Sequence, residues 1–290
     1  MTTTKQAILK AAKQIQPNKI ICVADKGLGR FEAEILLAYV IKKDRSYLLA
    51  HPDYELPAIS YKRFSRFVER RKKHEPMAYI KNERDFYGRK FFVDKRVLIP
   101  RPESEMLVEL AINEKPDLVW DVGTGSGAIS ISIAKEIKPL TVLATDTSSP
   151  ALTIARKNAK RLKAPNVTFL KSDLLDRGAR SFIDRRKPKR LVIVANLPYL
   201  PNKDKQHLDQ DVVKYEPVSA LFGGPSGLEV IKKFLKQISE SELKFARIFL
   251  EIDPRQTKKL RTLAKSLFPK AKFKIYKDLS KRDRIFEIKD

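Results

Sequence analysis

The sequence predicts an α/β fold, a seven-stranded, mostly parallel, doubly wound sheet, with a small helical domain before it. Three observations predict it. Beyond residue 117, short apolar runs alternate with longer stretches of helical spacing, the pattern of strands joined by crossover helices. A glycine-bearing turn, Gly123-Thr-Gly-Ser-Gly127, separates the first such run from the first such helix. The last two runs are separated only by Lys277–Arg284, too little chain for a crossover helix, so they pair antiparallel.

Taken in order, residues 1–80 read as helical. Phe31-Glu-Ala-Glu-Ile-Leu-Leu-Ala-Tyr-Val-Ile and Tyr61-Lys-Arg-Phe-Ser-Arg-Phe-Val carry apolar residues at helical spacing, with His51-Pro and Leu56-Pro as punctuation. This part holds no glycine-rich loop or acidic pair, so it is expected to bind rather than react. Residues 81–98 read as a linking hairpin: Asp85-Phe-Tyr, a turn at Gly88, then Lys90-Phe-Phe-Val. Residues 99–290 form the expected catalytic domain. Pro102 suits a first helical position, with Glu103 and Glu105 where the helix dipole favours acids. Strands are expected at Leu118–Val122, Thr141–Thr145, Val167–Leu170, Leu191–Ala195, Arg247–Glu251, Phe273–Tyr276 and Ile285–Ile288. Helices are expected at Ala128–Glu136, Pro150–Leu162, Gly227–Gln237 and Arg255–Leu267.

Composition narrows the class. A hydrophobic fraction of 42% supports an ordinary core, and no apolar run reaches the length of a membrane span. The start, Met1-Thr-Thr-Thr-Lys, has no secretory h-region. One cysteine, Cys22, permits no internal disulfide, and with only His51, His74 and His207 it offers no metal cluster. The chain reads as cytoplasmic and metal-free. Sixty Lys+Arg against 35 Asp+Glu give a net charge of +25, which invites a polyanionic neighbour such as ribosomal RNA. The basic residues are nevertheless spread over nearly every segment, so charge alone names no chemistry.

The candidate site gathers at strand ends. Gly123, Gly125 and Gly127, with Thr124 and Ser126 between them, let the backbone approach a ligand. Gly123, Gly125 and Ala128 also satisfy the dinucleotide form of this turn, so the turn alone does not choose a cofactor. Asp146, closing the second strand, is placed to accept hydrogen bonds from ribose hydroxyls, and Asp173, after the third, to reach an adenine amino group. The fourth strand runs into Asn196-Leu-Pro-Tyr199 at the same sheet edge. There the Asn196 side-chain oxygen and the Leu197 carbonyl can accept the two hydrogens of a planar NH₂ group. Pro198 stiffens the turn and Tyr199, expected as an exposed aromatic, can stack on the plane. A nitrogen so held presents its lone pair to a methyl donor, and a dehydrogenase has no need of the arrangement.

These residues resemble the HemK-type release factor glutamine methyltransferases, almost along the whole chain. The resemblance rests on Asp85–Glu105, on Asp121-Val-Gly-Thr-Gly-Ser-Gly-Ala-Ile-Ser130, and on Tyr215-Glu-Pro-Val-Ser-Ala-Leu-Phe-Gly-Gly-Pro-Ser-Gly-Leu228. Glu251-Ile-Asp-Pro-Arg-Gln256 and Lys277-Asp-Leu-Ser-Lys-Arg-Asp-Arg284 add C-terminal landmarks in the same order. It implies a Rossmann-like methyltransferase fold and S-adenosylmethionine as cofactor, held by the 123–127 turn and Asp146. It also implies a Gly-Gly-Gln glutamine held by Asn196, Leu197, Pro198 and Tyr199, and N-terminal helices that dock the release factor. A further cofactor contact of the family falls on Leu174, where an aromatic is commoner. The family usually has Asn-Pro-Pro-Tyr where this chain has Asn196-Leu-Pro-Tyr199, a form also typical of ribosomal RNA adenine dimethyltransferases. An RNA adenine N6-methyltransferase therefore stays open as the enzymatic alternative, and a catalytically inactive RNA- or ribosome-binding module as the other. Against the RNA enzymes stand Ile99-Pro-Arg-Pro-Glu and a helical segment that comes before the catalytic domain instead of after it.

Overall fold

The computed structural model describes residues 2–15, 28–138 and 140–290; Cys22 lies outside them. In chain order the elements begin with α1 (Thr4–Gln14), α2 (Leu28–Ile41), α3 (Arg45–Ala50), α4 (Ala58–Lys72) and α5 (Met77–Lys81). The hairpin β1 (Arg84–Phe86) and β2 (Arg89–Phe91) and helix α6 (Glu105–Asn113) follow. Then come β3 (Leu118–Val122), α7 (Ala128–Glu136), β4 (Thr141–Asp146), α8 (Ser149–Leu162), β5 (Val167–Lys171), α9 (Arg177–Arg186) and β6 (Leu191–Ala195). The chain closes with α10 (Gln210–Tyr215), α11 (Val218–Leu221), α12 (Glu229–Glu240), β7 (Arg247–Glu251), α13 (Thr257–Leu267), β8 (Lys272–Lys277) and β9 (Asp283–Lys289).

Two compact units result: Met1–Glu83 with His207–Tyr215, and Arg84–Gln206 with Glu216–Asp290. The three-part division expected from sequence differs in two places. The hairpin of the expected 81–98 linker belongs to the second unit, because Phe86 and Phe91 are buried in the core beside α6 and β3. Residues 207–215, expected in the catalytic domain, belong to the first unit, where the buried Arg71 guanidinium bonds both Glu32 and Asp211. That unit is a helical bundle around Leu36, Leu37, Phe64 and Val68. A capping box starts α1: the Thr3 hydroxyl accepts from the Gln6 N–H, and the Gln6 side chain accepts from the Thr3 N–H.

In the second unit the sheet order is β5-β4-β3-β6-β7-β9-β8, parallel except for β9, which runs antiparallel between β7 and β8. Every residue of β3 and β6 is buried, as helices on both faces of a parallel sheet require. Trp120 of β3 packs edge-on against Phe234 of α12, with ring centroids 5.9 Å apart. The chain leaves β3 toward β4 and β5 on one side, then returns to β6 on the other, so the switch point lies between β3 and β6.

The strands stand where periodicity put them: β3, β6 and β7 keep the expected bounds, β4 and β5 run one residue further, and β8 and β9 are longer at both ends. Tyr87 and Gly88, both at positive φ, make the two-residue hairpin turn. Helix α12 starts at Glu229, not at Gly227, whose φ of +81° puts it outside the helix. Pro254–Gln256 form a 3-10 turn ahead of α13. Helix α9 was not expected: half of its residues are charged and only Ala179 and Ile183 are buried. The available signal was Asp176, whose carboxylate caps the Gly178 and Ala179 amides.

Candidate active site

A cleft of about 250 Å³ opens at the carboxyl ends of β3, β4, β5 and β6. Gly123, Gly125, Asp146, Asp173, Leu174, Asn196, Leu197 and Pro198 line it, so most of the residues singled out from the sequence meet there. Thr124, Ser126, Gly127 and Tyr199 do not line it.

The turn is built from inside. The buried Asp121 carboxylate accepts the Thr124 hydroxyl at 2.6 Å and the Ser130 N–H at 3.1 Å, which ties the end of β3 to the first turn of α7. Burial pushes its pKa up to about 6, against which the Thr124 and Ser130 hydrogen bonds act. The Gly123 and Thr124 amides both donate to the Thr145 carbonyl of β4. Thr124 and Ser126 are buried, and the Thr124 hydroxyl is spent on Asp121 and Ser130, so any contact these two make with a ligand falls to their backbone. Gly127 is closely packed. A Cβ there would lie 2.9 Å from Ile131 and 3.2 Å from Ala155, at a φ of +79°. Gly125 is different, because a Cβ there would meet nothing within 4 Å.

Asp146 stands at the end of β4. Its Oδ2 accepts the Gly125 N–H at 2.9 Å and its Oδ1 the Ser148 N–H at 2.8 Å, while burial raises its pKa. Each oxygen keeps a lone pair for a further donor. Asp173 is exposed and its carboxylate is 2.5 Å from the Lys233 ammonium, so a cofactor amino group there would compete with an ion pair. Leu174 is buried at a φ of +58°, its carbonyl accepting the Ser172 hydroxyl at 2.8 Å. With Leu197 and Val230 it gives the cleft apolar wall. A glycine floor, a strand-end carboxylate and that wall fit an adenine nucleoside such as S-adenosylmethionine.

Asn196 and Tyr199 converge on one buried carboxylate. The Asn196 Nδ2 donates to the Ser104 hydroxyl at 3.0 Å, and Ser104 donates to Glu251 Oε2 at 2.5 Å. The Tyr199 hydroxyl donates to Glu251 Oε1 at 3.2 Å. Tyr199 is thus half-buried against the core, not the freely exposed aromatic expected, because its hydroxyl reaches a partner under the sheet edge. Burial, then the Glu251 charge, pushes the Tyr199 phenol well above its ordinary pKa. Leu197 packs its side chain into the core, 3.2 Å from where a Gly123 Cβ would stand. The backbone behind the motif is held by a second glycine turn. A Cβ on Gly223 would lie 2.3 Å from the Pro198 carbonyl, and one on Gly227 2.2 Å from the Tyr199 carbonyl. Gln256 Nε2 also donates to that Tyr199 carbonyl at 2.8 Å.

Sequence reasoning gave no role to Ser104, Glu251, Gly223, Gly227 and Gln256, although all fall within the quoted landmarks. Nor did it place Val97, Leu98, Pro217 and Ala220, which line the cleft.

Comparison with known proteins sharpens the reading. Residues 23–81 match the family described as PrmC N-terminal domain, and 119–214 the family described as methyltransferase domain. The chain is 39% identical over 242 residues to the release factor glutamine methyltransferase of Koribacter versatilis, covering 82% of each. It belongs to the release factor glutamine methyltransferases. The namesake from Bacillus cereus is 35% identical over 268 residues, covering 90% of this chain and 93% of that one. The Neisseria gonorrhoeae namesake is 42% identical over 207 residues, 71% and 73% of the two. Among solved structures, the hMettl16 catalytic domain in complex with a MAT2A 3′UTR hairpin is similar in fold, with a TM-score of 0.57 at 14% identity, covering 87% of this chain and 92% of that one. No helix among the described residues is long and apolar enough to cross a membrane.

Proposed function

We propose that this chain transfers the methyl group of S-adenosylmethionine to the side-chain amide nitrogen of the glutamine in the Gly-Gly-Gln loop of a translation release factor. One observation carries the reading. The Asn196 amide stands at the switch point beside Gly123 with its Nδ2 committed to Ser104, and no described residue donates to its Oδ1. That oxygen is the natural acceptor for one hydrogen of a planar NH₂, and the Leu197 carbonyl for the other. Pro198 holds the turn between them, and Tyr199, anchored on Glu251, follows it directly. Gripping both hydrogens keeps the amide flat, directs the nitrogen toward the donor, and places carbonyl dipoles where positive charge develops. S-adenosylmethionine supplies a methyl carbon already activated on a cationic sulfur. Gly123, Gly125, Asp146 and Leu174 hold the nucleoside; Asp173 contributes at the lip when Lys233 yields.

Family membership favours glutamine over the ribosomal RNA adenine and inactive-module alternatives. The N-terminal unit docks the release factor in this reading, the net charge of +25 favours encounter near the ribosome, and the enzyme works in the cytoplasm with its substrate. The test is mass spectrometry of a purified release factor incubated with the enzyme and S-adenosylmethionine, beside undermethylated ribosomal RNA. One added methyl on the Gly-Gly-Gln glutamine is expected; label in the RNA alone would overturn the reading. Replacing Asn196 with Ala should lower kcat about a hundredfold, the scale for one lost charge-stabilising group, while the affinity for S-adenosylmethionine changes little. An unchanged kcat would remove Asn196 from the site.

A further inference from the structure

Asparagine is an ambiguous tool for gripping an NH₂ group. Its amide has one oxygen and one nitrogen of nearly the same shape, and only the oxygen can accept. Turned over, Asn196 would offer a donor to a donor. Something must choose the orientation, and the choice is made from the core.

We propose that Glu251 and Ser104 are positioning residues, forming a buried relay that fixes which end of the Asn196 amide is presented to the acceptor glutamine. The relay rests on the reading of the site given above. Glu251 closes β7 and is 1% exposed. In its ionised form, which the Arg284 charge and the hydroxyl donors favour, Glu251 only accepts, so the Ser104 hydroxyl, 2.5 Å from its Oε2, spends its single proton there. Ser104, itself 3% exposed, then has only lone pairs to offer at its other side. Asn196, 3.0 Å away, can meet them only with Nδ2. Each bond dictates the polarity of the next, and the Asn196 Oδ1 is left as the free end. Reversing the amide would set its oxygen against the lone pairs of the buried Ser104 hydroxyl, a loss larger than that of one ordinary hydrogen bond.

The same carboxylate accepts the Tyr199 hydroxyl at its other oxygen, 3.2 Å away. One buried group therefore orients both polar members of the Asn196–Tyr199 motif. Nothing in the packing calls for a carboxylate here. Glu251 is 1% exposed and forms no direct ion pair within the described residues, and its pKa is raised by that burial. The positive charge that acts on it is that of Arg284, which is itself bonded to Asp278. A buried ion kept at such cost, with both oxygens spent on the motif, fits a group retained for orientation.

The experiment uses the full-length chain with Ser104→Ala, Ser104→Thr and Asn196→Ala, alone and with Ser104→Ala added to Asn196→Ala. Two readouts are taken. The first is kcat on a Gly-Gly-Gln peptide, with the S-adenosylmethionine affinity measured separately. The second is solvent exchange of the Asn196 side-chain NH₂ by nuclear magnetic resonance without substrate, the signal being assigned by its loss in Asn196→Ala. Ser104→Ala should lower kcat about tenfold, leave cofactor affinity within about twofold, and speed the NH₂ exchange about tenfold, the scale of one oriented hydrogen bond. Ser104→Thr, which keeps the hydroxyl, should restore both readouts. In the Asn196→Ala background Ser104→Ala should cost nothing further, because Ser104 acts through Asn196. Unchanged exchange in Ser104→Ala overturns the relay, whatever happens to kcat. So does a full additional loss in the double variant. If the alanine variant does not fold, Ser104→Cys, similar in volume but a weak acceptor, is read in its place. If the wild-type chain fails to methylate the peptide, the substrate reading falls, and the exchange rates still decide the relay.

Discussion

Asp121 should make the catalytic unit less stable as pH rises from acid to neutral, and Asp121→Asn should abolish that loss. The carboxylate is fully buried at the end of β3, and its Oδ1 has no hydrogen-bond partner among the described residues. Its pKa stands at about 6, raised from an ordinary 3.8 by burial. The folded state therefore holds the proton more tightly than the unfolded chain does, so stability falls as pH climbs through that window. About two pH units of displacement correspond to about 3 kcal/mol of stability, fully present below pH 4 and lost above pH 7. Asparagine keeps an oxygen for Thr124 and the Ser130 N–H while carrying no charge into the core. Asp146, which adds to the upward push on Asp121, is present in both proteins and cancels in the comparison to first order. The chain's single tryptophan, Trp120, is buried next to Asp121, so its fluorescence follows this unit during urea unfolding. Measured from pH 4 to pH 7.5, the variant should gain on the wild type by about 3 kcal/mol in total, most of it between pH 4 and 6. A difference that does not change with pH, or one that moves the other way, would refute the reasoning.

Two further predictions concern how the cofactor turn is held. Gly127→Ala should destabilise the catalytic unit by about 1–3 kcal/mol, from positive φ and the contact with Ile131 and Ala155, whereas Gly125→Ala should cost less stability but weaken S-adenosylmethionine binding by calorimetry. Equal effects of the two on stability and affinity would contradict the assignment of one to packing and the other to the cleft. Asn158→Ala should cost about 2–3 kcal/mol in the same urea assay, because this buried side chain bonds the Phe92 N–H, the Phe92 carbonyl and the Ser126 carbonyl, leaving all of them unpaired in the core. A change below about 0.5 kcal/mol would mean that water replaces those bonds.

Much of this molecule is legible in one dimension because the signals are local. β3 and β6 announce themselves as unbroken apolar runs, since a parallel strand covered on both faces has no polar side to show. The glycines at 123–127 mark positive φ, a requirement of the backbone at those positions. Asp146, Asn196 and Pro198 follow their strands directly, so finding the strands finds the cleft. Helix α9 was missed because its burial rests on two residues in a charged stretch. The hairpin's allegiance to the second unit, and that of residues 207–215 to the first, depend on contacts no window of sequence contains.

From residue order alone came the fold class, the cleft at the sheet edge, the nucleoside cofactor and the NH₂-holding motif, all carried by periodicity and turn chemistry within a few residues of each other. Only the tertiary structure decided that Tyr199 is anchored instead of free, that the Thr124 hydroxyl is spent on Asp121 and Ser130, and that Ser104 bonds Asn196. Ser104 lies 92 residues from Asn196 and 147 from Glu251. A hydrogen bond between side chains so far apart depends on which strands lie side by side and on which face each residue points to, and neither is written in the spacing of one segment.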